Sequence, residues 1–441
     1  MGAGTAQGSM MNSVRVPSIV VLTLAIATAS APAQDERTVV PVNEAAFPAV
    51  LAGIDREWNF SFSTGGRIRV LAAADVAYFG RYRDVESGPQ IVLADGGVVR
   101  ADLLRADLER FVIGDATGLA IGQWDESVLP RTAVRGLFWQ PPAAPADRDR
   151  LLRDLTQYSE ADDRLLLIDG QSITGKIVGL PQAAANRLAD DGRDVEAFRL
   201  ARVGATEPLA IPAGKVAAAS FGGVTTEGLG DVRISAWIGL NDGSLVHGTS
   251  VVVRGDVVTV SLAAGGQLNS TTSGRGGRAK SFWDAVAYIE PRGPRVHWIS
   301  DVPHAGYKHI PYISVQRQPG MDESVLGSRL RHGGAVVRKG VGMPSASRLA
   351  YDVAGFRRFE AEIAIDEEAG LKGSVVFKVL LETSPGQWQA AYESPVVRGG
   401  DPPRRVSVDL RGAARLALIV DFADRGDECD YANWIHARLI K

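Results

Sequence analysis

From Phe359 onward the chain alternates apolar and polar residues in short runs separated by Gly, Pro and Asp, the period-two signature of half-buried antiparallel strands. In Phe359-Glu360-Ala361-Glu362-Ile363-Ala364-Ile365 the odd positions form one apolar face, and Glu360 and Glu362 lie on the other. Val375, Phe377, Val379 and Leu381 share a face in the next run. Val406, Val408 and Leu410 follow, then Leu416, Leu418, Val420 and Phe422. Strands this short and this regularly punctuated specify an antiparallel β-sandwich.

Two stretches narrow that reading. One is Lys339-Gly340-Val341-Gly342-Met343-Pro344-Ser345-Ala346-Ser347-Arg348-Leu349-Ala350-Tyr351-Asp352. The other runs from Asp421 through Asp424, Arg425 and Asp427 to Asp430-Tyr431-Ala432-Asn433-Trp434. Together they resemble the NPCBM family (family 51 of the carbohydrate-binding modules), which shows a K-G-[ILV]-G-x-H-[AS]-x-S segment and a closing D-H-A-D-W-like segment. Phe359 to Asp366 is similar to that family's F-x-A-x-[VI]-[GA]-[VI]-D strand, and Gly373 to Val379 to its G-S-V-x-F-x-V strand. The resemblance implies a galactose-binding-like jelly roll over residues 295–441. This chain departs from the pattern at Pro344, where His is usual, and at Tyr431 and Asn433, where His and Asp are common.

A chain of 441 residues with 45% hydrophobic content can build two or three real cores. Its 48 basic and 51 acidic residues nearly cancel, so no global field favours a nucleic-acid or anionic-membrane partner. Arg15 precedes the apolar run Ser18 to Ala27, and Ala31-Pro32-Ala33 follows, as in a secretory leader cleaved after residue 33. The run falls short of the ~20 residues that span a bilayer, so the exported protein is expected not to be membrane-spanning. Cys429 is the single cysteine, which leaves the domains to stand on packing without an intrachain disulfide.

Before the sandwich, Leu93-Ala94-Asp95-Gly96, Leu167-Ile168-Asp169-Gly170 and Leu240-Asn241-Asp242-Gly243 each follow a short apolar strand, and each Asp-Gly marks a tight turn. The units end on the apolar strands Val134 to Phe138, Val216 to Phe221 and Val286 to Ile289. Three copies of a small β-unit are therefore expected. The segments Phe60 to Val70 and Val76 to Phe79 resemble the closing half of another copy. The spacing fits small barrels and hairpin-rich sheets equally. The expected organisation is a leader at 1–33, a first β-rich unit at 34–140, a linker at 141–160, β-units at 161–225 and 226–294, and the sandwich at 295–441. In the linker, Leu151, Leu152 and Leu155 predict a helix over Ala146 to Tyr158 capped by Asp147. The whole arrangement resembles secreted proteins of planctomycete-type bacteria.

Chemistry-bearing motifs are few. Gly274 to Ser281 approaches a phosphate-cradling G-x-x-x-x-G-K-[ST] loop, but Ala279 replaces the second Gly and no long helix is signalled after it, so an exposed basic loop is expected. The six histidines show no metal-ligand spacing, and no G-x-S-x-G elbow occurs. Asp421, Asp424, Asp427 and Asp430 on one loop could gather the oxygens that Ca²⁺ requires, against the alternative of a charged turn balanced by Arg425. Calcium is thus the one cofactor suggested.

Sugar recognition needs an aromatic face and a few polar groups. Trp388, Tyr392 and Trp434 are the aromatic candidates, with Arg348 and Asn433 as polar ones. Trp388, in a turn after Ser384-Pro385-Gly386, is the expected exposed platform, and Trp434 at a strand start is expected to fill the core. The expected function is an exported, non-catalytic carbohydrate-binding or adhesion protein with a glycan or cell-envelope polysaccharide as partner. A structural envelope protein whose sandwich has lost sugar binding is the alternative, followed by a glycoside hydrolase with an unrecognised N-terminal site.

Overall fold

The computed structural model describes residues 1–2, 37–86, 88–107, 109–115, 123–181, 197–225, 234–273, 281–312 and 315–441. Residues 3–36, which include the expected leader, and Gly274 to Lys280 of the phosphate-loop-like run lie outside the described residues. Residues 37–441 are described below.

One backbone hydrogen bond recurs four times in the N-terminal half. Val42 N–H donates to Asp75 O (2.9 Å), Ala94 to Ala133 (2.8 Å), Ile168 to Lys215 (3.0 Å) and Asn241 to Ala285 (2.8 Å). Each links the residue just after an opening strand to the last residue of a short helical turn, and a closing strand starts immediately beyond that turn. The closing strand then pairs antiparallel with the opening one: Val76–Gly80 with Arg37–Pro41, Val134–Phe138 with Gln90–Leu93, Val216–Ser220 with Asp163–Leu167, and Val286–Arg292 with Ser235–Leu240. The region 37–292 is thus four copies of one meander. The segment 34–140 holds two of them, 37–80 and 90–138, where the sequence suggested one β-rich unit with half a copy ahead of it.

The Asp-Gly turns work alike in the last three copies. Asp95, Asp169 and Asp242 each accept, through the side chain, the N–H two residues on (2.9, 3.0 and 2.7 Å), and the following Gly takes the positive φ (+86°, +87°, +91°) that the turn demands. The helix occupies Pro145–Gln157, and Asp147 sits in its first turn. Ala144 is the N-cap residue, without a side-chain bond; proline at the first helical position supplies the start that the sequence assigned to Asp147. Leu151 and Leu155 pack with Val92, Phe138 and Ala218.

The copies meet through their closing strands. Val76–Gly80 of the first pairs with Val286–Arg292 of the fourth, and Val134–Phe138 of the second with Val216–Ser220 of the third. The second and fourth also join where Val98 pairs with Leu245.

Residues 296–440 form the sandwich. One sheet runs in the order Gly320–Met321, Gly340–Pro344, Tyr431–Ile440, Arg358–Ile365, Arg404–Asp409, and the other in the order Gly306–His309, Ser347–Asp352, Arg415–Phe422, Ser374–Ser384, Gln387–Glu393. Phe359, Ile363, Val375, Phe377, Val379, Leu416, Leu418 and Val420 are fully buried between them, so the alternation in the sequence maps onto the inner faces.

Buried charges fix the sandwich to the repeats. Asp84 and Asp149 face Arg148, Arg329 and Arg331: Arg331 reaches Asp84 at 2.8 Å and Asp149 at 2.9 Å, and Arg329 reaches Asp84 at 2.7 Å. Burial alone would raise the Asp84 carboxyl, but the bonds from Arg331 and the charges of Arg329, Arg331 and Arg148 hold it well below the usual carboxylate range. A second latch joins Arg338 bidentately to Glu290 (2.9 and 3.1 Å), with the guanidinium 4.1 Å from the Trp237 ring centroid.

Candidate functional site

At one end of the sandwich the Pro344–Ser347 corner, the loop after His309 and the turn before Tyr431 enclose a cavity of about 200 Å³. Its polar walls are His309, Arg317, Ser345, Asp427, Asp430 and Tyr431; Val315, Val325 and Pro344 supply the apolar part. Pro344 and Tyr431 are register partners on neighbouring antiparallel strands. Two of the three positions at which the chain departs from the NPCBM pattern therefore converge on one wall.

The corner is held rigidly, and its Ser345–Ala346 peptide is cis. His309 Nδ1 accepts the Arg317 N–H (3.1 Å), which places the ring proton on Nε2, and Nε2–H donates to Ser345 O (3.1 Å). Ser345 Oγ–H donates to Asp430 Oδ2 (2.6 Å), while the Ser374 N–H donates to Asp430 Oδ1 (2.8 Å). Burial, with the Asp427 charge adding to it, pushes the Asp430 carboxyl up to about 6 despite those bonds. Burial likewise raises the Tyr431 phenol.

Asp427 and Arg317 are different. Among the described residues neither side chain carries a hydrogen bond or ion pair, so a carboxylate and a guanidinium face the cavity with their bonding capacity unspent. Next to Asp427, Gly426 runs under the ring of Tyr312, where a Cβ would meet a ring carbon at 3.3 Å. Tyr312 is 69% exposed and packs edge-on against Phe422, which leaves ring surface at the rim. Acceptor, donor, phenol and apolar wall in one small concavity can fix the hydroxyls and carbon face of a single sugar ring.

The residues singled out from the sequence are not brought together here. Asn433 and Trp434 are fully buried and present no surface to a ligand. Asn433 instead donates Nδ2–H to Asp366 Oδ2 (2.6 Å), and Trp434 lies between Phe359 and Phe377 (ring centroids 6.0 and 5.1 Å). Tyr392 pairs with Val379, whose side chain points inward, so its ring packs on the core. Arg348 and Trp388 both lie on the outer face of that sheet. They are three strands apart, roughly 14 Å, and displaced along the strands as well. Arg415, paired with Glu382, sits 5.5 Å from the Trp388 ring centroid and occupies part of its surroundings.

The proposed calcium ligands disperse in the same way. Asp421 pairs with Lys378 (3.2 Å), Asp424 with Arg398 (2.6 Å), Asp430 is spent on the two serines, and Asp427 faces the cavity. No group of three His, Cys, Asp or Glu side chains among the described residues is placed to hold a metal. Asp421, Asp424 and Asp430 each find their own nearby donors, so the four carboxylates do not converge on one point.

In the repeats, Ser235, His247 and Asp95 stand in the order of an acyl-transfer triad. Ser235 Oγ lies 2.9 Å from His247 Nε2, but Asp95 Oδ2 is 4.0 Å from Nδ1 and Ser235 is only 1% exposed. With the imidazole stacked on Trp237 (4.9 Å), this set packs the junction of the second and fourth repeats.

Residues 295–440 match the NPCBM/NEW2 domain family. A Renibacterium salmoninarum protein named "Putative endo-alpha-N-acetylgalactosaminidase" is 28% identical over 183 residues, 41% of this chain and 12% of that protein, so the chain spans a small part of its relative's length. Among solved structures, the family 51 module from a Clostridium perfringens family 95 glycoside hydrolase in complex with methyl-galactose is 20% identical, with a TM-score of 0.29 over 33% of this chain and 99% of that one. The second family 51 module and INT domain of Clostridium perfringens ZmpB are 24% identical, with a TM-score of 0.30 over 43% of this chain and 39% of that one. With the two motif segments adjacent in register and the family matched over the whole sandwich, residues 295–440 are an NPCBM domain.

Proposed function

We propose that this chain is an exported, non-catalytic glycan-binding protein whose NPCBM domain takes one sugar residue in the cavity between His309, Pro344 and Tyr431. The observation that carries the reading is that, among the described residues, neither the Asp427 carboxylate nor the Arg317 guanidinium has a hydrogen bond or ion pair, while both line a cavity walled by both family motif segments. A hydroxyl that donates to the carboxylate and accepts from the guanidinium satisfies both groups at once, and each becomes a charge-assisted bond. Export follows from the leader-like run Ser18 to Ala27. The repeats would then set how the sandwich stands on a cell envelope.

The test is a glycan array on the full chain, followed by calorimetric titration of the best glycan against wild type and Asp427→Asn. Binding that weakens at least about tenfold in Asp427→Asn, with the melting temperature unchanged, is the expected result. A folded chain that retains no glycan would reject the proposal and favour an envelope scaffold.

A further inference from the structure

The cavity beside His309 has polar walls and an apolar rim. Among the described residues of the sandwich, the large hydrophobic side chains left exposed are Ile310, Tyr312, Val315, Leu326 and Leu371, and four of these five flank the cavity. Ile310, Tyr312 and Val315 belong to the loop after His309, with Val315 itself a wall residue, and Leu326 follows the wall residue Val325. Exposed apolar residues scattered singly need no explanation, but their concentration around one polar well marks a surface with something to cover.

Tyr312 is the aromatic member of the rim, and its ring is held as a platform. A Cβ at Gly426 would stand 3.3, 3.4 and 3.4 Å from three consecutive ring carbons, Cδ1, Cε1 and Cγ. A point that near to three adjacent ring atoms lies over the face of the ring, not beside its edge, so the Gly426 backbone floors one face. Phe422 meets the ring at 76° with centroids 6.0 Å apart and fixes its tilt. With one face floored and 69% of the residue in solvent, the other face is open. Gly426 has φ +66°, so a side chain there would be strained as well as crowd the ring. The next residue is Asp427, which lines the cavity.

We infer that Tyr312 is the stacking platform for a second sugar ring, so that the domain takes a glycan of two or more residues, the terminal ring in the cavity and the next on the open face of Tyr312. This rests on the reading of the cavity as a sugar site. A pyranose carries both hydroxyls and an apolar face of C–H groups, and the site divides along the same line. Asp427 and Arg317 in the cavity satisfy hydroxyls, whereas the platform offers a flat apolar surface and leaves the second ring's hydroxyls to water. Linkage selection follows. A glycosidic bond that carries the second ring away from Gly426 forfeits the stack, so two disaccharides with the same terminal sugar are told apart.

The experiment is calorimetric titration of the full chain with methyl glycosides of galactose, N-acetylgalactosamine, N-acetylglucosamine, glucose, mannose and fucose. Disaccharides that carry each of these at the non-reducing end in different linkages, and the octyl glycosides, are titrated beside them. Wild type is compared with Tyr312→Ala, Tyr312→Phe and Asp427→Asn, and the readout is the ratio of disaccharide to methyl-glycoside affinity. At least one disaccharide is expected to bind wild type about fivefold or more tighter than its terminal methyl glycoside. That ratio should fall to near one in Tyr312→Ala and persist in Tyr312→Phe, while Asp427→Asn weakens both ligands and preserves it, with melting temperatures unchanged. A wild-type ratio near one for every disaccharide, or a gain that survives Tyr312→Ala, would overturn the inference and leave the cavity reading intact. Tighter binding of an octyl glycoside with no gain from any disaccharide would overturn it too, and assign the rim to an apolar aglycone. A folded wild type that binds no saccharide removes the cavity reading, and the inference with it.

Discussion

Pro344 and Tyr431 stand opposite each other on adjacent antiparallel strands, so two substitutions 87 positions apart in the chain are one change in one wall. Where the family pattern has imidazoles, this wall has a ring without an N–H and a phenol. If the phenol bonds the sugar, Tyr431→Phe loses ~0.5–1.5 kcal/mol of binding, a few-fold to about tenfold in Kd. Calorimetry at fixed pH measures it, and an unchanged Kd would mean that the sugar does not use the phenol.

The Asp366–Asn433 bond explains a second departure. Asp366 is fully enclosed, and burial pushes its carboxyl up to about 6 even though Glu368, Asn433 and Arg331 donate to it. An Asp at 433 would set two buried carboxylates 2.6 Å apart, whereas Asn supplies the donor. The folded state keeps the Asp366 proton between about 4 and 6, so this group's contribution is complete below about 4 and is lost as pH rises through 6. Asp366→Asn should therefore gain stability relative to wild type between pH 4 and pH 7, by roughly 1–3 kcal/mol. Denaturant titrations at the two pH values isolate the effect, because the variant's lost acceptor costs the same at both. A pH-independent difference would refute it.

His436 and His247 act in the opposite sense. Burial lowers them to about 3 and about 4, with the charges of Arg438 on the first and of Arg292 on the second adding to it, so their contribution is present above the ordinary imidazole value and lost as pH falls below it. His436→Gln should flatten the acid side of the stability curve measured from pH 7 to pH 4, while an unaltered slope would show that this imidazole takes up its proton as readily folded as unfolded.

Trp434→Ala should cost ~3–5 kcal/mol, since it empties the space between Phe359 and Phe377. Trp388→Ala forfeits little more than the Arg415 contact, ~0.5–1 kcal/mol. Melting curves separate the two. Loss of glycan binding in Trp388→Ala would move the sugar from the cavity to the outer face of the sheet.

Arg331→Met leaves Asp84 and Asp149 short of a shared partner and should destabilise the intact chain by ~3–5 kcal/mol. Residues 295–441 expressed alone would bare Arg329, Arg331 and the apolar surface around Val336 and Trp298, and should melt well below the intact chain. Equal melting temperatures would show that the latch contributes nothing.

The inner faces of the sandwich could be read from sequence because one periodicity runs through every strand. The last three repeats announced themselves by Asp-Gly. The first was half hidden because its opening turn runs through Asn43 and Glu44 instead and lacks that dipeptide. The cavity was only partly legible: Pro344 and Tyr431 stood out as departures and Asp427 as one of four loop carboxylates, but Arg317 carries no local pattern and lines the cavity with them only through the pairing of strands distant in sequence. Arg348, Trp388 and Tyr392 do not meet, because a strand's two faces and its position in the sheet decide what comes together, and composition encodes neither. The ionic latch was invisible for the same reason, being single charges whose partners lie 180 to 247 positions away.

Every closing strand of the repeats is paired on both sides, once to its own opening strand and once to the closing strand of another copy. In a solenoid each unit offers the next an identical free edge, and length can drift by duplication. Here that edge is consumed in pairs, so a fifth copy inserted into the gene would find nowhere to dock, and the copy number is set by saturation of the closing strands.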